Sequence, residues 1–91
     1  TMATFTINDT TADRLMKDLN EGRIVKLTKA NGSALILQHG NDIDEFGDYI
    51  YRFTIESATD RNSNVKNVPM NETDMIGFIN GLEFTNYETL N

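Results

Sequence analysis

The chain has 91 residues, of which 38% are hydrophobic, and its net charge is −6. This length suits one domain around a modest core, and the absence of cysteine excludes disulfides, thiolate catalysis and thiolate zinc sites. The charge disfavours direct binding to nucleic acid, and no apolar run is long enough to span a bilayer. We therefore expect a single cytoplasmic domain over residues 1–91.

The first residues predict a short strand and then a helix. Residues 4–7 alternate polar and apolar side chains, which indicates a strand with Phe5 and Ile7 on one face or, alternatively, a fraying terminus. Good N-cap residues follow, and Gly22 can end a helix over residues 10–20. The apolar stripe of this helix has helical spacing and consists of Ala12, Leu15, Met16 and Leu19.

The middle of the chain predicts an antiparallel meander. Residues 23–29 form a first strand, Asn31-Gly32 favours a type I′ turn, and residues 33–39 return as a central strand that is apolar on both faces. A polar loop over 40–47 leads to a third strand over 48–56.

The last third predicts a loop and a second helix. Residues 57–68 are polar and lack periodicity, and we expect Pro69 to end any strand. Asn71 is a good N-cap, and Gly81 a good C-cap, for a helix with the buried stripe Met75, Ile76, Ile79 and Leu82. We expect the apolar tail to fold back. The fold class is therefore α+β: a three- to four-stranded antiparallel meander with two helices, in the order (β)-α-β-β-β-α.

Charge is sorted along the sequence. Residues 22–39 hold three cations and no acid, whereas residues 40–51 hold four acids and no Lys or Arg. Residues 67–91 hold four further acids, again without a cation. Such sorting produces a local negative field, which can steer a basic partner towards the chain.

One motif resembles the start of a calcium-binding loop but has a simpler explanation. Asp42, Asp44 and Gly47 have the spacing that opens a calcium loop, but Phe46 and Phe53 stand where that loop needs oxygen ligands. A solvated acidic turn is the simpler interpretation. We predict no metal site.

Catalysis also lacks a convincing pattern. His39 is the only histidine, and we expect it at the surface at the end of a strand rather than in a triad. Neighbouring acids such as Glu72 and Asp74 suit acid–base work in principle, but their place at a helix start is typical of dipole compensation. We predict no catalytic residue and no cofactor.

The predicted order of elements, with the small size and acidity, resembles the small acidic phage-encoded anti-CRISPR proteins that inhibit Cas9. Residues 18–27, a helix end followed by the strand RIVKL, and residues 71–79, the capped last helix, carry this resemblance. In that family, surface carboxylates imitate DNA phosphates and fill the basic channel that reads the PAM duplex. This chain differs in having no dense Asp/Glu run and in carrying a basic first hairpin strand. The carboxylates that the resemblance implies as partner-binding are Asp42, Asp44, Glu45, Asp48, Glu72 and Asp74.

Together these observations predict a small binding protein rather than an enzyme. We expect a phage or mobile-element inhibitor of a host nucleic-acid-handling protein, such as a CRISPR effector, that binds a basic protein surface through its acidic face. The alternative is a structural or assembly module that associates with copies of itself. A dimer that buries the acidic regions would favour assembly, whereas a monomer that binds a basic protein at low salt would favour the inhibitor.

Overall fold

The computed structural model describes residues 3–91 and has an α+β fold with two helices packed on a mostly antiparallel sheet. A short 3₁₀ helix, Arg61–Ser63, precedes the fifth strand. The elements in chain order are β1 (Phe5–Thr6), α1 (Asp9–Asn20), β2 (Val25–Thr28), β3 (Ala34–Ile43), β4 (Tyr49–Glu56), β5 (Val65–Asn71), α2 (Glu72–Ile79), β6 (Glu83–Phe84) and β7 (Asn86–Thr89).

The main sheet has five strands in the order β5-β4-β3-β2-β7, and every neighbouring pair is antiparallel. The predicted meander is confirmed, and β3 is central, as its apolar character on both faces indicates. β7 adds a strand because the C-terminal tail folds back onto β2. β1 pairs with β6 in a separate two-stranded sheet, which confirms the first predicted strand.

The prediction of a loop over residues 57–68, with Pro69 ending any strand, is wrong in its last part, because β5 begins at Val65. The strand runs through Pro69, which lies opposite Arg52 of β4. β5 is the outer strand of the sheet, where a residue without an N–H can be accommodated. A bulge at Asn67, with φ of 52°, interrupts the register and hides the alternation that would mark a strand.

Both helices begin where the sequence predicts. The side chain of Asn8 accepts a hydrogen bond from the Thr11 N–H at 3.0 Å, and that of Asn71 accepts one from the Asp74 N–H at 2.8 Å. The predicted stripe of α1 is buried in full. In α2, Met75 and Ile79 are buried, but Ile76 is 36% exposed and does not belong to the stripe.

One hydrophobic core lies between the helices and the sheet. β1 and β6 close its end, where Phe84 of β6 and Ile7, the residue after β1, are fully buried. Leu82 lies beyond the end of α2 and packs against this core from its edge. The buried side chains that the sheet contributes are Val25, Leu27, Leu35, Leu37, Tyr51 and Phe53.

Candidate functional site

The second hairpin extends past the core. His39 is opposite Tyr51 and Asp42 is opposite Ile50, so Gly40 and Asn41 are two extra residues in β3. This bulge needs a glycine, because a Cβ at position 40 would stand 2.8 Å from the carbonyl oxygen of Ile50. The predicted polar loop over 40–47 is therefore wrong in its first half, since β3 continues to residue 43. We call residues 42–49 the acidic arm.

The tip of the acidic arm is a compact turn organised by Asp44. Its carboxylate accepts hydrogen bonds from the N–H groups of Phe46 and Asp48, both at 2.9 Å. Its own N–H donates to the Asp48 carbonyl oxygen at 2.8 Å, while the Gly47 N–H donates to the Asp44 carbonyl oxygen at 3.1 Å. Asp44 therefore has two roles in the arm: it stabilises the turn through these hydrogen bonds, and it contributes one of the four negative charges.

The other three acids of the arm are exposed. Asp42 lies 3.5 Å from the Arg52 guanidinium, which also donates to the carbonyl oxygen of Asn67 at 3.0 Å. Glu45 and Asp48 form no salt bridge within residues 3–91. The arm thus presents its negative charge to solvent, and in the part of the chain that the structure describes Arg52 is the one cation in a salt bridge with it.

Glu72 and Asp74 lie beside the base of the arm. Asn71 is opposite Ile50, which is in turn opposite Asp42, so one row across three strands joins the arm to the start of α2. Two strand spacings amount to about 10 Å. The fold therefore brings the first turn of α2, with its two acids, towards the four acids of the arm.

His39 and two tyrosines form an aromatic stack at the base of the arm. The His39 ring lies 5.0 Å from the Tyr49 ring and 5.1 Å from the Tyr51 ring, both in edge-on geometry. The Nδ1 atom of His39 accepts a hydrogen bond from the Asn41 N–H at 3.0 Å. His39 is half-buried rather than the surface residue that the sequence predicts. His39 is two positions after the buried Leu37 in β3, and side chains two positions apart on a strand share a face, so this spacing places His39 on the core face.

Tyr51 connects this stack to α1. Its hydroxyl donates to the side-chain oxygen of Asn20 at 2.7 Å. Burial, followed by the negative charge of Glu72, raises the pKa of Tyr51, so Tyr51 remains a neutral hydrogen-bond donor at neutral pH.

An open cavity of about 380 Å³ lies at the base of the arm, between the end of α1 and the aromatic stack. A smaller and more apolar cavity of about 190 Å³ lies between α2 and the sheet. Within residues 3–91, no three His, Cys, Asp or Glu side chains converge to hold a metal ion. The larger cavity is lined by Leu19, Asn20, Gly22, His39, Asn41 and Tyr49.

Neither protein-family models, nor curated proteins, nor solved structures give a match to this chain. Among the helices of residues 3–91, none has the length and apolar character required to cross a membrane. The geometry of the acidic arm therefore carries the functional interpretation.

Proposed function

We propose that this protein is a small cytoplasmic binding protein of a phage or mobile element that inhibits a host nucleic-acid-handling protein, such as a CRISPR effector. The acidic arm binds a basic surface that otherwise holds nucleic acid. One observation carries this proposal: four carboxylates lie on one exposed hairpin that extends beyond the core.

The electrostatics of the arm support this role. Carboxylates on a projecting element are attracted to a basic channel over about 8 Å at physiological ionic strength. Asp42, the one acid of the arm with a salt bridge within residues 3–91, keeps a side chain that is 60% exposed. An exposed ion pair of this kind contributes little stability, so a basic partner can compete with Arg52 for this carboxylate.

The alternative, an assembly module, is less well supported. Strand addition between copies would use an outer strand, and both outer strands of the main sheet are poor templates. β5 contains Pro69 and a bulge at Asn67, while β7 has only four residues and carries Glu88. Such features are typical of edges protected against pairing. A net charge of −6 also makes copies repel one another.

The test measures binding to a purified guide-loaded CRISPR effector at low and at physiological salt. The charge variant changes Asp42, Asp44 and Asp48 to Asn and Glu45 to Gln, which removes four charges and keeps the side-chain volumes. Asn at position 44 can still accept the two turn hydrogen bonds. We expect slower association and a weaker salt dependence, because exposed charges act mainly on the association rate.

A matched control removes four acids from other surfaces: Asp9, Asp13, Glu83 and Glu88. Asp18 is unsuitable for this control, because its carboxylate holds Arg23 and the Tyr87 hydroxyl. We expect the control variant to keep most of the affinity and the charge variant to lose most of it. Equal binding by the two variants would overturn the proposal, and a DNA duplex that fails to compete would remove the inhibitory mechanism.

A further inference from the structure

The acidic arm also carries three exposed apolar side chains, each of which is next to an acid in the sequence. Ile43, Phe46 and Tyr49 are 65%, 81% and 53% exposed, although they lie within seven residues of one another. Single exposed apolar residues are normal on a protein surface, but a group of large ones on a projecting element marks a binding surface. We call these three residues the arm patch.

Two residues of the arm patch, Ile43 and Tyr49, lie on the side of the hairpin that continues the core face, and Phe46 follows in the turn at the tip. Ile43 and Tyr49 are directly opposite each other, and Tyr49 is two residues from the buried Tyr51. Asp42 is on the opposite face, where its carboxylate meets Arg52. At the base of the arm, the apolar pair of Ile43 and Tyr49 and the acidic Asp42 therefore occupy different faces of the same hairpin.

The arm patch is continuous with the cavity of about 380 Å³, since Tyr49 lines both. His39 supports the Tyr49 ring from below at 5.0 Å between ring centres. A ring held in this way loses little conformational entropy on binding, which is a property of aromatic anchors in interfaces. The surface thus combines an exposed Phe46 at the tip, a supported Tyr49 and a cavity at the base.

We infer that the arm patch is the docking surface for a basic protein segment that carries a large apolar side chain; this inference deepens the proposed function and depends on it. Charge complementarity selects this occupant. A second copy of the chain would bring two acidic arms together, and an anionic lipid surface or a nucleic acid would be repelled. A segment with Lys or Arg beside Leu, Phe or Trp satisfies both faces of the arm.

In this arrangement the two faces have separate tasks. The carboxylates attract the partner and set the association rate, whereas the arm patch excludes water and slows dissociation. Phe46 and Tyr49 are the anchors, because buried aromatic residues dominate the energetics of protein interfaces.

The experiment uses two synthetic helical peptides as probes. One contains lysine and leucine with a single tryptophan, and the other has the same lysines with glutamine in place of every apolar residue. Binding to the isotope-labelled protein is mapped by amide chemical shifts and measured by calorimetry. We expect the apolar peptide to bind about tenfold more tightly than the polar peptide and to shift residues 39–51.

The decisive variant is Phe46→Ala. Leu90→Ala is the matched control, because Leu90 is another exposed large apolar residue, at 50%, but follows β7 and lies outside the arm. Phe46 makes no contribution to the core, so this variant should fold, and thermal unfolding checks that it does. We expect Phe46→Ala to weaken binding of the apolar peptide about tenfold, chiefly through faster dissociation, while Leu90→Ala changes it less than twofold.

The outcomes separate this inference from the proposed function. If both peptides bind equally and Phe46→Ala changes nothing, while the charge variant loses binding, the docking inference is wrong and the acidic function stands. If the charge variant also binds normally, both are wrong. A dimer in sedimentation that Phe46→Ala dissociates would make a second copy the occupant and would overturn the inference as well.

Discussion

The two hairpins of the meander end in loops with the same hydrogen-bond pattern but in very different surroundings. In the first, the Lys29 N–H donates to the Ser33 carbonyl oxygen at 2.8 Å, and the Gly32 N–H donates to the Lys29 carbonyl oxygen at 2.9 Å. The second hairpin has the same two bonds, from the Asp44 N–H to the Asp48 carbonyl oxygen and from the Gly47 N–H to the Asp44 carbonyl oxygen. Each loop has three residues, with glycine at positive φ in the third position.

What differs is the support around each loop. The first hairpin lies between β4 and β7, and a Cβ on Gly32 would meet Ala58 at 3.4 Å. A Cβ on Gly47 would meet nothing within 4 Å, and the arm around it buries no side chain. The same local geometry therefore supports the core in one place and projects into solvent in the other, where we propose that it binds a partner.

The largest expected effect contrasts two positions of β3. Leu37→Ala, before the bulge, should lower the free energy of unfolding by about 2–5 kcal/mol, because Leu37 is fully buried and its loss leaves a cavity. Ile43→Ala, beyond the bulge, should cost less than about 1 kcal/mol, because Ile43 is 65% exposed. Urea unfolding of both variants measures the difference. A comparable cost at the two positions would mean that the arm is part of the cooperative core.

The elements with strong local signals could be predicted from the sequence. The stripe of α1, the Asn71 cap of α2 and the central place of β3 follow from side-chain periodicity and capping chemistry, and the structure confirms all three. The burial of Leu35, Leu37, Phe53 and Ile79, at 5%, 0%, 9% and 0% exposure, follows from the same patterns.

The elements that depend on bulges could not be predicted. Gly40 and Asn67 lie at irregular positions that break the two-residue period, so residues 40–43 and β5 both resemble loops in the sequence. The type I′ turn at Asn31 is also wrong, since only Gly32 has a positive φ there. Asn31 instead accepts hydrogen bonds from the N–H and hydroxyl of Ser33, which is local chemistry that the Asn-Gly pair does not specify.

The acidic part of the candidate site could be predicted from the sequence, but its apolar part could not. The run of acids over 40–51 marks the arm, but the exposure of Phe46 depends on how far the hairpin extends beyond the core. That distance is a tertiary property, because it requires the strand register and the bulge to be known. The approach of Glu72 to the base of the arm likewise depends on β5, which the sequence did not predict.

The next prediction concerns the hydrogen bond that links β7, the strand beside the first hairpin, to α1, and its expected effect on stability is smaller. Leu27 of β2 is opposite Tyr87 of β7, whose hydroxyl donates to the Asp18 carboxylate of α1 at 2.5 Å. Tyr87→Phe should therefore cost about 1.5 kcal/mol at neutral pH, the contribution of a hydrogen bond to a charged group. The Arg14 guanidinium, 4.9 Å from the ring centre, stacks on either side chain, so the variant isolates the hydroxyl.

The same contact predicts a loss of stability at alkaline pH. Burial and then the hydrogen bond to Asp18 raise the pKa of Tyr87 above its usual value of 10.0. A group whose pKa is higher in the folded state contributes stability below its unfolded pKa and loses it as the pH rises. The free energy of unfolding should therefore decline above about pH 10 and decline less in Tyr87→Phe, with the remainder due to Tyr51. Identical pH profiles for the two proteins would contradict this assignment.

The last comparison, which contains the smallest expected effect, sets the two loops against each other through Gly32→Ala and Gly47→Ala. Both glycines have a φ near the value that side chains avoid, +88° and +84°, so alanine introduces about 1–2 kcal/mol of strain at either position. At Gly32 the flanking strands hold the loop in place, and the strain should appear in full as a lower free energy of unfolding. At Gly47 the arm can rearrange or fray without disturbing the core, so global stability should fall by less than about 0.5 kcal/mol, with amide shifts confined to residues 42–49. Asparagine tolerates this backbone region, so Gly32→Asn should recover part of the loss and serves as the control for strain. An equal cost at the two glycines would show that the arm unfolds together with the core, and the separation between a supporting and a presenting hairpin would no longer hold.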